Sequence, residues 1–220
     1  MQEYIDLFLK GGPVMWPILL SSLVALTVFV ERLLAYRVDK VFPIRTAEAL
    51  LELVGKGQYE AAQSLAKQQR SPLSAIVNAF LETRHAGRAA AKERMEEVGN
   101  VEISLLNRYV GALSAVVTVA PLLGLLGTVT GMVQVFQSVA SVEDPKISQL
   151  AGGIWEALLT TVAGLAVAIP AYLAFRFLES RLDRLADALQ SYSLRLMDLS
   201  FPQNSPSGKV EPAGKGESGE

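Results

Sequence analysis

The sequence predicts an all-α membrane protein with three transmembrane helices, of which the second and third extend far into the cytoplasm beside a helical cytoplasmic domain. Three apolar blocks lead to this prediction. Residues 11–30, 109–142 and 157–175 carry no charged side chain, although 19% of the 220 residues are charged. A helix needs about 20 mostly apolar residues to cross the hydrocarbon layer. Each block meets or approaches that length, and no convincing strand alternation is present.

The three spans divide the chain into eight predicted segments. They are a periplasmic amphipathic helix (1–12), the first span (13–32), a cytoplasmic helical domain (33–110), the second span (111–137), a periplasmic loop (138–149), the third span (150–175), a cytoplasmic helical extension (176–201) and a disordered tail (202–220). The tail is rich in Pro, Gly, Ser, Lys and Glu, which cannot build an apolar core. A signal peptide is the alternative for the first block, but only Lys10 precedes it as a basic residue and Glu31-Arg32 closes it.

Basic residues predict the orientation of the spans, because lysine and arginine are retained on the cytoplasmic side. One precedes the first span and one lies in the loop 138–149. Twelve lie between residues 31 and 108, and six follow the third span. We therefore expect a periplasmic N-terminus and a cytoplasmic C-terminus.

The cytoplasmic segments show helical patterns throughout. Apolar residues recur at helical spacing in 47–54, 59–66 and 73–80, with breaks at Gly55–Gly57, Ser71-Pro72 and Gly87. After the third span, leucines keep a spacing of three to four residues, with Tyr192 filling one gap: Leu178, Leu182, Leu185, Leu189, Leu196 and Leu199. Such a seam requires a partner helix. That partner is either the chain's own cytoplasmic helices or another subunit.

The second span has two neighbouring stripes of different character. At 100° per residue, the hydroxyl side chains share one stripe of about 80°: Ser114, Thr118 and Thr128. Glycines occupy the adjoining stripe: Gly124, Gly127 and Gly131. Small residues let helices approach closely within lipid. We therefore expect the glycine edge to pack against a helix and the hydroxyl edge to line an ion pathway.

In the third span, Glu156 heads a narrow face of small and hydroxylated residues, among them Thr160 and Gly164, with Thr161 somewhat further round. A carboxylate at the bilayer centre costs about 2.5–3.5 kcal/mol on insertion scales and is a candidate functional group. The nineteen uncharged residues after Glu156 span about 28 Å. Glu156 therefore lies at the outer interface, or inside the membrane if the helix begins near Leu150. We favour a functional, partly buried carboxylate.

Two alternatives accompany this ion-path hypothesis. Threonine in a membrane helix often bonds its own backbone, which would leave the hydroxyl stripe without a functional role. Pro121 and Pro170 each remove a backbone hydrogen bond, and this could be plain helix geometry or a hinge.

Two sequence motifs resemble those of a known family. Residues 121–133, PLLGLLGTVTGMV, followed by Phe136, resemble the second-span motif of the MotA/TolQ/ExbB proton channel family. Residues 156–171, EALLTTVAGLAVAIPA, resemble the third-span motif of its ExbB/TolQ branch, and the Glu31-Arg32-Leu33 exit from the first span is also similar. Both motifs occur in the expected order, spacing and topology.

The resemblance implies a subunit of a bacterial inner-membrane motor. It implies a homopentamer whose second and third spans surround a pore, with a pair of ExbD-like or TolR-like single-span subunits inside that carry the titrating aspartate. Proton motive force would then energise a TonB-like or TolA-like protein for outer-membrane transport or maintenance. By position, Thr128, Thr161 and Glu156 match the polar pore residues of the family, and Pro121 and Pro170 match its two prolines.

The chain departs from the wider family at two points. MotA proteins have four spans and a larger cytoplasmic domain, so three spans favour the ExbB/TolQ branch over a flagellar-type stator. Trp155 stands where the family commonly has a small residue, which would alter packing at the outer end of the pore.

Other functional classes are disfavoured by the residue inventory. The chain has no cysteine, one histidine and a net charge of −2, which offers neither a thiolate metal site nor a nucleic-acid-binding surface. We therefore predict no cofactor, metal, enzymatic activity or nucleic-acid partner. Gly55-Lys56-Gly57 lacks the flanking residues of a phosphate loop and is interpreted as a turn. A non-conducting membrane scaffold remains the main rival function, because it would share every packing feature.

Overall fold

The computed structural model describes Phe8, residues 11–141 and residues 147–202. Within these residues the chain forms eight α-helices and one 3-10 turn, with no strand, which confirms the predicted all-α class. The predicted helix 1–12 and the predicted tail 202–220 lie almost wholly outside the described residues. The loop 138–149 is described only in part.

Three helices are long and apolar enough to cross a membrane. They are α1 (Met15–Ala35), α7 (Val110–Ala140) and α8 (Ile147–Ser200). The 54 residues of α8 correspond to about 81 Å at 1.5 Å per residue, far more than the ~30 Å of the hydrocarbon core. Its C-terminal half must therefore project beyond the membrane as one continuous helix with the third span.

The segment between α1 and α7 is a compact set of helices: α2 (Val38–Val41), α3 (Ile44–Gly55), α4 (Tyr59–Gln68), α5 (Pro72–Thr83), a 3-10 turn (Arg84–Ala86) and α6 (Arg88–Asn107). Local chemistry fixes several of their ends. Ser71 caps α5 by accepting a hydrogen bond from the Ser74 backbone N–H at 3.2 Å, and Pro72 occupies the first helical position.

The turn between α3 and α4 is a Schellman motif. Gly57 has a φ of +73°, a left-handed conformation that costs glycine little. Its N–H donates to the Val54 carbonyl at 3.0 Å, and the Gln58 N–H donates to the Leu53 carbonyl at 2.9 Å. These bonds satisfy two terminal carbonyls of α3, and they account for the turn predicted at Gly55–Gly57.

The leucine seam of α8 packs on the chain's own helices between α1 and α7. Five of its six leucines are buried, as is Tyr192, whereas Leu199 is exposed. The buried ones share one core with fully buried residues of the segment between α1 and α7, including Leu50, Val77 and Phe80. The intrachain alternative for this seam is thus confirmed.

The structure adds a turn at the N-terminal end of the second span. The sequence predicted that this span continues as a helix into the cytoplasm, with nothing but Gly99 to break the run from Arg88 to Arg108. Instead, α6 ends at Asn107 and α7 begins at Val110, with Arg108 and Tyr109 in a turn between them. Neither residue is a helix breaker by type, and both keep backbone angles in the right-handed helical region. The tertiary contacts at this turn are described below.

Candidate functional site in the membrane

The glycine stripe of α7 packs directly against α8. A methyl group added at Gly124 would lie 2.9 Å from the Thr160 carbonyl oxygen, and one added at Gly131 would lie 2.8 Å from Ala157 Cβ. A methyl group added at Gly127 would overlap the Thr160 side chain. Successive glycines along α7 therefore meet successively earlier residues of α8, so the two helices run antiparallel in close contact.

The packing is reciprocal, because α8 contributes glycines of its own. A methyl group added at Gly164 would lie 2.6 Å from the Ala120 carbonyl oxygen and 3.1 Å from Gly124 Cα. One added at Gly153 would overlap the Val135 side chain. Any side chain at these points would force the helices apart, as expected for small-residue contacts within lipid.

Two threonines of α8 join the helices by hydrogen bonds. The hydroxyl of Thr161 donates to the Gly124 carbonyl of α7 at 3.1 Å. The hydroxyl of Thr160 lies 2.7 Å from the Ala157 carbonyl and 3.2 Å from the Gly124 carbonyl. Thr160 is buried, with 2% of its surface exposed, whereas Thr161 is half-buried. Thr160 therefore sits inside the helix contact, and Thr161 sits at its margin.

The hydroxyl stripe of α7 lies beside this contact. Thr118 is exposed, and Ser114 and Thr128 are half-buried. Thr128 donates to the Leu125 carbonyl at 2.7 Å and Thr118 to the Ser114 carbonyl at 3.2 Å. Both hydroxyls thus satisfy their donor within their own helix and keep lone pairs that can accept a hydrogen bond.

Glu156 lies half-buried beside the start of α1. A methyl group added at Gly12 would lie 2.5 Å from its Oε1 atom, so the carboxylate packs on the turn that precedes α1. At 100° per residue, Glu156 and Thr161 point about 140° apart on α8. Within one chain the structure therefore brings Thr160 and Thr161 to the glycine stripe, and it directs Glu156 toward α1.

Both prolines lie inside continuous helices. Pro121 is half-buried in α7 and Pro170 is exposed in α8. Because proline lacks an N–H group, the carbonyls four residues earlier, at Val117 and Ala166, lose their usual helical partner. In α8, Ala166 and Pro170 line an apolar cavity of about 580 Å³ between α1 and α8.

The sequence analysis missed a polar cluster at the C-terminal end of α1. Arg32 is buried, with 6% of its surface exposed, and its guanidinium donates to the Leu106 carbonyl at 2.7 Å. The hydroxyl of the fully buried Tyr36 donates to the same carbonyl at 3.0 Å. An arginine that closes an apolar run, with a tyrosine four residues later on the same helical face, was the available signal.

Metal chemistry finds no support in the described part of the chain, where no group of three or more His, Asp or Glu residues could hold an ion. The polar groups at and beside the contact between α7 and α8 include hydroxyls, backbone carbonyls and the Glu156 carboxylate. Such groups can relay or coordinate a small cation, but they do not form a constellation of nucleophile and base.

These features define a three-span, all-helical membrane protein whose last two spans form one closely packed pair. Residues 68–191 match the model of the MotA/TolQ/ExbB proton channel family, and the chain belongs to that family. This agrees with the sequence motifs of both spans. The family is one of proton channels rather than of enzymes.

Individual relatives point to the ExbB/TolQ branch. The ExbB-like 1 biopolymer transport protein of Synechocystis sp. is 37% identical over 185 residues, which cover 80% of this chain and 70% of that protein. The biopolymer transport protein ExbB of Neisseria gonorrhoeae is 31% identical over 143 residues, covering 64% and 60%. The Tol-Pal system protein TolQ of Haemophilus influenzae is 38% identical over 84 residues, covering 38% and 37%.

Proposed function

We propose that this chain is a wall subunit of a pentameric ion-conducting motor in the bacterial inner membrane. Five copies enclose a pore between their second and third spans, and ExbD-like or TolR-like single-span subunits occupy it. Proton flow through this assembly energises a TonB-like or TolA-like protein for outer-membrane transport or maintenance. The N-terminus is periplasmic and the C-terminus cytoplasmic, in accordance with the distribution of basic residues.

The proposal rests on the close packing of α7 against α8, which makes the two helices one element of the proposed pore wall. The motif threonine Thr161 bonds the Gly124 carbonyl across the contact, and glycines on both helices permit the close approach. On the antiparallel pair, Thr128 and Thr161 face the same side, away from the side of α8 that α1 covers. That side carries the motif hydroxyls, which suits the lining of a narrow ion path.

Large apolar side chains on the same two helices support assembly into a ring. Leu122, Leu125 and Val129 of α7 are each more than half exposed, as are Trp155 and Leu158 of α8. In an isolated subunit lipid would cover them all. In a ring, part of this surface packs against neighbouring copies and the central partner, while the rest stays in lipid. Trp155 would then lie at the outer end of the subunit contact or of the pore.

Removing the two motif hydroxyls tests whether the wall conducts. In proteoliposomes that contain the chain and its single-span partner, we expect the Thr128→Val, Thr161→Val double variant to lower proton flux, because valine keeps the shape of threonine but cannot exchange hydrogen bonds. Thr130→Val is the matched control, since Thr130 lies on α7 about 160° from Thr128 and bonds its own backbone at 2.9 Å. Unchanged flux and unchanged downstream transport in the double variant would contradict the pore and favour a scaffold.

Glu156 provides a second test. We expect Glu156→Ala to abolish energy coupling while the pentamer persists, as measured by native mass spectrometry, and Glu156→Gln to do the same if the charge is what matters. Loss of the pentamer in both variants would instead make Glu156 a structural residue that holds the turn before α1.

The alternatives are a non-conducting scaffold and a flagellar-type stator. The scaffold predicts normal assembly and no flux in the wild type. The stator is disfavoured by the three spans and by the ExbB and TolQ relatives. Hydroxyls and one carboxylate could conduct either H⁺ or Na⁺. Ion flux measured under a Na⁺ gradient, and separately under a proton gradient, shows which of the two ions the assembly conducts.

A further inference from the structure

A buried polar cluster joins the cytoplasmic end of α1 to the junction between α6 and α7. The guanidinium of Arg32 donates two hydrogen bonds to the Glu31 carboxylate, at 2.6 and 2.9 Å. Its remaining terminal nitrogen donates to the Leu106 carbonyl at 2.7 Å. Leu106 is the second-last residue of α6, so its carbonyl is among the last four, which lack an ordinary intrahelical partner. Arg32 therefore caps α6 from another helix.

Two tyrosines complete the cluster. The hydroxyl of Tyr36 donates to the same Leu106 carbonyl at 3.0 Å. Burial raises the pKa of the Tyr36 phenol, so this group keeps its proton and its role as donor at neutral pH. Tyr109 lies in the turn that follows α6. The centroid of its ring is 4.6 Å from the guanidinium carbon of Arg32, within the range of a cation–π contact.

The third span is tied to the same place. Arg181 of α8 donates to the Tyr36 backbone carbonyl at 3.1 Å. Elements from all three spans therefore meet at one level, at the cytoplasmic end of the membrane region. Arg108 and Tyr109, which form the turn between α6 and α7, lie at this level. The interruption between α6 and α7 thus coincides with the cluster that satisfies the last carbonyls of α6.

We infer that Arg32 and Tyr36 are positioning residues that fix the α6–α7 junction from α1, and through it the orientation of the α7 pore wall relative to the cytoplasmic domain. The first span is then more than an anchor. The inference rests on the proposed function only in assigning α7 to the pore; the capping of Leu106 is independent of it. Arginine suits this role because its planar fork can bind a carboxylate, a carbonyl and an aromatic face together, which lysine cannot do.

Hydrogen exchange on the full chain in nanodiscs tests the junction. In the Arg32→Gln variant we expect backbone amides within residues 107–112 to exchange about tenfold faster or more, the order expected when charge-assisted bonds are lost and a local segment opens. Arg32→Lys keeps the positive charge that orients the first span but loses the fork, and it should behave like Arg32→Gln. Arg37→Gln is the matched control, because Arg37 is exposed at the same end of α1 and should leave exchange unchanged.

Proton flux in proteoliposomes that contain the chain and its single-span partner tests whether the junction between α6 and α7 controls the pore wall. We expect Arg32→Gln and Arg32→Lys to lower flux several-fold while the pentamer is retained, and Arg37→Gln to leave it unchanged. Unaltered hydrogen exchange in both Arg32 variants would contradict the claim that Arg32 fixes the junction between α6 and α7. Faster exchange with normal proton flux would contradict the claim that this junction positions α7 in the pore wall.

Two further measurements test the inference if the Arg32 variants do not fold or if the wild type does not conduct. If Arg32 variants fail to fold, Tyr36→Phe removes a single donor from the Leu106 carbonyl, and it should give a smaller increase in exchange over the same residues. If the wild type carries no flux, the proposed channel function fails, and the exchange measurements still decide whether α1 fixes the junction.

Discussion

Gly127 should be the least replaceable residue of the α7–α8 contact, and Gly127→Ala tests this. The added methyl carbon would overlap Thr160 Oγ1 and lie 2.8 Å from Thr160 Cγ2, whereas carbon atoms in contact prefer about 3.5–4.0 Å. Thr160 cannot easily turn away. It is β-branched, 2% exposed, and its hydroxyl lies 2.7 Å from the Ala157 carbonyl. The helices must therefore separate by something near 1 Å, given those contact distances.

The expected magnitude follows from two opposing effects. Overpacking a tight contact costs about 1–3 kcal/mol. Replacing glycine by alanine in a helix gains about 0.8–1 kcal/mol where space allows. Gly111 provides the matched control, since it lies in the same helix and nothing stands within 4 Å of a methyl group added there. Gly111→Ala should therefore be neutral or stabilising. Because both variants share the gain in helix propensity, they should differ by the overpacking cost alone, about 1–3 kcal/mol.

Unfolding in mixed micelles by increasing amounts of SDS, followed by far-UV circular dichroism, measures this difference in the free energy of unfolding. Gly127→Ala should unfold at a lower fraction of SDS than the wild type, and Gly111→Ala at the same or a higher fraction. Equal stability of the two variants would refute the claim that Gly127 is required by the close approach of the helices. The outcome does not depend on whether the assembly conducts ions.

Two further predictions concern the core that α8 shares with the helices between α1 and α7. Tyr192→Phe removes the donor that bonds the Ala47 carbonyl at 3.0 Å in a buried site, and it should lower the free energy of unfolding by about 1–3 kcal/mol; Tyr172→Phe, at a ring that is 49% exposed, should change it little. Phe80→Ala empties a fully buried position in the shared core and should cost about 3–5 kcal/mol. Retention of wild-type stability in Phe80→Ala would mean that the cytoplasmic helices do not depend on this core. The same SDS titration measures all three variants.

The fold class was accessible from the sequence because its strongest signals are local. A run of about 20 uncharged apolar residues excludes most alternatives to a spanning helix, and three such runs are confirmed as helices long enough to cross. The leucine spacing after the third span identified a buried face, but not its partner. The partner became evident only in the structure, where α8 packs on the chain's own helices between α1 and α7.

The candidate site was accessible in part. Helical periodicity separated the glycine stripe of α7 from its hydroxyl stripe, and the glycines do face α8. Helical periodicity could not predict that Thr160 would be buried against Gly127 while Thr161 remained at the margin of the helix contact. The burial of each threonine depends on where the two helices cross. Whether the hydroxyls line a path for ions stays a prediction, because that requires copies and partners beyond one chain.

The apolar blocks, the basic residues beside them and the small-residue stripes determined, without tertiary information, an all-helical protein with three spans and a close helix pair. Each of these signals arises from a neighbour along the chain or from the bilayer itself. Only the tertiary structure decided where α6 ends and α7 begins. Arg32 and Leu106 are 74 positions apart, and no local preference of Arg108 or Tyr109 requires an interruption. A carbonyl at the end of α6 is satisfied there by a guanidinium from another span, and such a bond exists only once the chain has folded.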